Sequence, residues 1–150
     1  PLNSNLGNYY LYVPLFTAEE VLFNKAEALA MNDRHDEALA MLNLLLPKRV
    51  KGTYDADEHN LTQAKVLNHY AGADIRTAVV NATLDLKRIE FMHEGLRWFD
   101  VLRKGMRVEH PVADMNITGH FNTVLEPNDP RRQIQLPPAT VLSGLQPNKR

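Results

Sequence analysis

Cysteine is absent from the 150 residues, which excludes disulfides, Cys zinc sites and thiol catalysis but leaves the compartment open. Glycine is scarce, at seven residues, and no Gly-rich phosphate loop is among them. Neither GxSxG nor HExxH occurs, so serine-hydrolase and zinc-protease chemistry also lack their motifs. No sign of charge predominates. Seventeen Lys and Arg stand against eighteen Asp and Glu, a net charge of -1, and nothing drives the chain toward nucleic acid or an anionic membrane. Long apolar runs are missing too: none approaches the ~20 residues of a membrane-spanning helix, and no secretory signal pattern is visible.

What is present is a globular composition, 44% hydrophobic and 23% charged, in a length that suits a single domain over 1–150. Pro1 stands where an initiating Met would be, so the expectation is that a longer start has been removed. Six of the nine prolines fall after residue 105, which places helix before that point and turns or short strands after it. The division is therefore an extended lead-in over 1–16, a helical body over 17–104 and an irregular tail over 105–150.

Within the body, Thr17 with Glu20 three residues on is a capping-box pattern that starts a helix. Leu22, Ala26, Leu29 and Ala30 recur at helical spacing until Asn32-Asp33 ends the run. Ala38, Met41, Leu42 and Leu45 form a second series, so residues 17–46 read as one tetratricopeptide-like helical hairpin whose alanines permit close backbone approach. Residues 51–60 (KGTYDADEHN) are a polar, acidic loop, and 61–70 can hold a short helix. The strongest helical signal runs from Thr77 to Lys104 with a seam of Ile89, Met92, Leu96, Phe99 and Leu102, interrupted at Gly95, where a kink or close backbone contact is expected. In the tail, alternation over Met106–Val112 predicts a strand. Two more, at 121–125 and 133–136, flank Pro127-Asn128-Asp129-Pro130 as a small β-hairpin.

Candidate chemistry is sparse. The six histidines lack metal-ligand spacing, and the loop Asp55, Asp57, Glu58, Asn60 fails the EF-hand test at Asn60 and Val66, so no metal or cofactor is expected. Glu90 and Glu94 lie one helical turn apart on the same side, whereas an acid–base pair must flank a bond across a cleft. No catalytic residue is assigned. Trp98 and Phe99 read as packing residues. Tyr9, Tyr10, Tyr12 and Tyr54 lie on irregular segments better suited to carbohydrate contact, and Tyr54, Asp57, His59 and Asn60 are the candidate ligand-binding residues.

The run Leu86 to Gly105, LKRIEFMHEGLRWFDVLRKG, resembles the signature of the SusD/RagB family, in which an Arg, a Glu and then Glu-Gly-x-Arg-Trp-Phe-Asp-Leu-x-Arg-x-Gly occur at matching spacing. Three further pieces agree in order: Glu19 to Ala30, Asp36-Glu-Ala-Leu with Leu42-Asn43, and Arg131 to Pro138 leading to Gly144 through Arg150. The departures are Val101 for the common Leu, Lys104 at a variable position, and the 51–76 connection.

The resemblance implies the C-terminal portion of a surface lipoprotein of the outer membrane of Bacteroidota, mainly α and tetratricopeptide-like. Such a protein captures oligosaccharides, or in some branches peptides, for a TonB-dependent transporter of the SusC type, and its lipid anchor lies in an N-terminal part. It implies binding without catalysis, and structural roles for Glu94, Gly95, Arg97, Trp98, Phe99 and Asp100. The alternative is a tetratricopeptide-like scaffold for a protein partner. A portion of a larger helical array is also expected to expose apolar surface and self-associate.

Overall fold

In a computed structural model of the protein, residues 15–110 and 123–148 are described. Tyr9, Tyr10, Tyr12 and nearly all of the lead-in segment lie outside them. The chain divides into two compact units, residues 1–87 and 88–150.

In the first unit, α1 (Ala18–Met31) starts where the Thr17 hydroxyl accepts the Glu20 N–H at 3.2 Å. It ends at Asn32, whose amide donates to the Ala28 carbonyl at 2.7 Å, and Asp33 then turns the backbone through φ 60°. The connection is so short that α2 (His35–Leu45) must fold back along α1, and Phe23, Ala26, Leu29 and Ala30 are buried with Ala38, Leu39, Leu42 and Leu45. This is the expected hairpin. Its phase differs by one position at the start, because Phe23 is fully buried while Leu22 is only half-buried.

Beyond a 3₁₀ turn at Leu46–Lys48 come two short helices, α3 (Ala56–His59) and α4 (Gln63–His69). The long α5 (Ile75–Glu90) begins where the Asp74 carboxylate accepts both the Thr77 N–H at 3.0 Å and the Thr77 hydroxyl at 2.7 Å. Ala78, Val79, Ala82, Thr83 and Leu84 make its buried face, and the Thr83 hydroxyl is satisfied by donating to the Val79 carbonyl at 2.8 Å. Polar contacts fix α5 within the unit. Arg76 forks onto the Asp33 carboxylate at 2.7 Å, Lys87 reaches Asn24, and the Tyr70 hydroxyl donates to Asp85 at 2.8 Å.

In the second unit, the helix expected to continue to Lys104 is broken. Residues 91–95 form a turn in which His93 and Gly95 take φ 70° and 79°, and α6 (Leu96–Arg103) starts afresh. The helical period therefore does not carry across, and the expected seam is not buried: Ile89, Met92, Phe99 and Leu102 are exposed, while Phe91, Asp100 and Val101 face inward. Glu90 and Glu94 likewise do not share a helix face, since one ends α5 and the other lies in the turn.

The tail holds a two-stranded antiparallel sheet, β1 (Val108–His110) with β2 (Thr123–Leu125), in the register Val108 opposite Leu125 and His110 opposite Thr123. The expected pairing of 121–125 with 133–136 is replaced by this one. Pro130 opens a 3₁₀ turn (Pro130–Arg132) capped by Asp129, and 133–136 carry no strand before α7 (Pro138–Leu142). Among the described residues, no helix is long and apolar enough to cross a membrane.

Candidate functional site

The candidate ligand residues come from the loop after α2, and local chemistry decides their arrangement. Asp55 starts α3 by accepting the Asp57 N–H at 2.9 Å, which tightens the loop into a helical turn and brings His59 back toward Tyr54. The two rings stack with centroids 5.3 Å apart at 27°. His59 Nδ1 lies 3.0 Å from the Asp55 backbone nitrogen and 2.8 Å from the Asp55 carbonyl oxygen, and the Tyr54 hydroxyl donates to the Asn60 side chain. Tyr54, His59 and Asn60 are thus brought together, and Asp57 sits apart on the exposed side of α3.

Lys65, absent from the sequence-based set, organises this loop. Its ammonium donates to the carbonyls of Asp57, Glu58 and Asn60 at 2.8, 2.7 and 2.9 Å, which satisfies acceptors left open at the end of α3. Asn43 on α2 then staples the chain that follows: its amide donates to the Leu61 carbonyl at 3.0 Å, and its oxygen accepts the Leu61 N–H at 2.8 Å. Between α2 and residues 61–64 this leaves an open groove of about 420 Å³. Lys65 belongs to no recognisable motif, and Asn43 stands in the Leu42-Asn43 piece of the family resemblance without any sign of this contact. A polar side chain that satisfies backbone at long range leaves no local periodic signal.

The signature segment is arranged differently. Gly95 precedes α6 at φ 79°, and a β-carbon added there meets nothing within 4 Å, so the glycine serves backbone conformation and not close approach. We expect Gly95→Ala to cost about 1–2 kcal/mol through left-handed strain alone, read as a lower denaturation midpoint with unchanged helix content. Asp100 is buried at 1% exposure, and its Oδ1 accepts from Arg103 at 2.7 and 2.9 Å. Trp98 is half-buried, while Phe99 is 65% exposed.

Arg132 stands in the sequence only as part of the Arg131–Pro138 piece of the family resemblance, with no role assigned to it, yet it joins several pieces of the second unit. Buried to 6% exposure, its guanidinium donates to the carbonyls of Glu126 at 2.5 Å, Leu125 at 2.9 Å and Val101 at 3.4 Å, and also to that of Met106. It thereby ties β2 and the chain after α6 to the last turn of α6.

The perturbed carboxyls support local structure. Hydrogen bonding from Arg131 holds the Asp129 carboxyl down at about 2. The Thr77 hydroxyl and N–H lower Asp74, and Arg34 lowers Glu37. No group of acidic, histidine or cysteine side chains placed to hold a metal ion is found among the described residues.

Residues 5–135 match the family model of the SusD family, so the match runs through both units and contains the Leu86–Gly105 segment. No match was found among curated proteins or among solved structures. Agreement over that span, in a chain built of tetratricopeptide-like helices, makes the protein a member of the SusD family, whose role is nutrient or glycan binding without catalysis.

Proposed function

We propose that this chain supplies the helix-rich C-terminal part of a lipid-anchored protein at the surface of the outer membrane, which captures oligosaccharides and delivers them to a TonB-dependent transporter of the SusC type. The observation that carries this reading is the family match over residues 5–135, with the Glu94–Asp100 signature inside it. The composition is compatible with it. The near-neutral charge suits capture of largely uncharged ligands.

Isothermal titration of the chain with neutral hexasaccharides of glucan, xylan and mannan type tests the reading, with chromatography of the sugars afterwards. Saturable binding of at least one sugar, recovered intact, is expected. Release of shorter products would overturn the non-catalytic role. Retention of a protein partner by a chain that binds no sugar would favour the scaffold reading instead.

A further inference from the structure

The open groove on the first unit is unclaimed by anything above. Its floor is aliphatic, formed by Leu39 and Ala40 of α2 with Leu61 and Ala64, and its rim is polar. On the rim, the Gln63 amide donates to Asp36 Oδ1 at 2.6 Å, which orients a carboxylate and an amide side by side and leaves Asp36 Oδ2 and Gln63 Oε1 as acceptors. The Thr62 hydroxyl accepts the Lys65 N–H at 3.3 Å and keeps its own hydrogen to donate. Asn43, by contrast, is committed at both ends to the Leu61 backbone.

We infer that this groove is a subsite for a short, uncharged, hydroxyl-rich segment, one or two sugar units of an oligosaccharide; the inference rests on the capture reading given above. Three features select that chemistry. The volume, about 420 Å³, falls within the range of small-ligand sites. The rim offers two oriented acceptors and a hydroxyl to ligand hydroxyls, while the aliphatic floor takes the C–H face of a sugar ring. An extended peptide gains little here, because the Leu61 N–H and carbonyl that would pair with its backbone are already held by Asn43. A docking helix would want a broad apolar face, and the groove gives it two alanines and two leucines.

The test uses the whole chain and two variants, Ala40→Trp, which fills the groove without removing a hydrogen bond, and Gln63→Ala, which removes half of the oriented pair. Circular dichroism first establishes that both keep the wild-type helix content. Titration with the hexasaccharide that binds wild type best should then show a loss of roughly tenfold or more for Ala40→Trp and about threefold to tenfold for Gln63→Ala. Equal affinity in wild type and Ala40→Trp would overturn this subsite and leave the capture reading intact. Binding of none of the three hexasaccharides to wild type would overturn both. If Ala40→Trp instead abolished binding of an amphipathic Leu/Lys peptide while sugar affinity stayed unchanged, the groove would be a protein-docking surface and the inference would fall.

Discussion

Phe23→Ala is expected to lower the stability of the first unit by about 3–5 kcal/mol, the range for deleting a buried aromatic ring and leaving a cavity. Phe23 has no exposed surface and lies on the face of α1 that packs against α2, beside Ala26 and Ala30. Small neighbours in a close-packed hairpin cannot expand to refill the space, so the cavity term adds to the lost transfer energy. Against a domain stability of about 5–15 kcal/mol, a large share of the total would go. Urea denaturation followed by circular dichroism should show the midpoint fall with little change in slope. Phe99→Ala provides the contrast. With 65% of that residue exposed, the same deletion should change stability by about 0.5 kcal/mol or less. Equal effects at the two positions would mean that the α1–α2 hairpin is not the core of its unit.

The second large effect concerns Arg132. Arg132→Ala removes the guanidinium donors from the carbonyls of Met106 and Leu125 and the second donor from those of Val101 and Glu126, which keep the N–H groups of Met106 and Asp129, and each lost charge-assisted bond in this half-buried cluster carries a cost. The expected loss is about 2–4 kcal/mol, confined to the second unit. Arg132→Lys keeps the charge but replaces a planar fork of five donors by a single ammonium that cannot span these carbonyls, so it should recover less than half of the loss. The only tryptophan, Trp98, belongs to the second unit, so its fluorescence reports unfolding there directly. Full recovery by Lys would show that charge, and not the geometry of the fork, makes the contact.

Both predictions rest on features with different sequence signatures. The α1–α2 hairpin was legible because its causes are local: a Thr cap, two apolar series at helical spacing and a turn at Asn32-Asp33. The break at 91–95 was half-legible. Gly95 marked the place, but the apolar positions continued through it in nearly helical spacing, and only the left-handed backbone at His93 and Gly95 shows that the period restarts. The strand pairing was misread for a related reason. Pro127 and Pro130 look like the ends of a hairpin turn, yet Pro130 begins a 3₁₀ turn that carries Arg132 into the carbonyl cluster, and β2 pairs with β1 instead. For the candidate site, Tyr54, His59 and Asn60 were identified as residue types on a polar loop, and their contacts come with the α3 turn between them.

The sequence by itself determined the mainly helical class, the Thr17 cap, the tetratricopeptide-like hairpin and the family signature, because each depends on residues within a few helical turns of each other. Tertiary structure alone decided that Lys65, Asn43 and Arg132 would be the residues to serve these backbone carbonyls, some five to eight residues away and others, Leu61 from Asn43 and Met106 and Val101 from Arg132, 18 to 31 residues away. A backbone acceptor is the same at every position and leaves no mark in the residue code. Which side chain satisfies it depends on where the fold brings the two together.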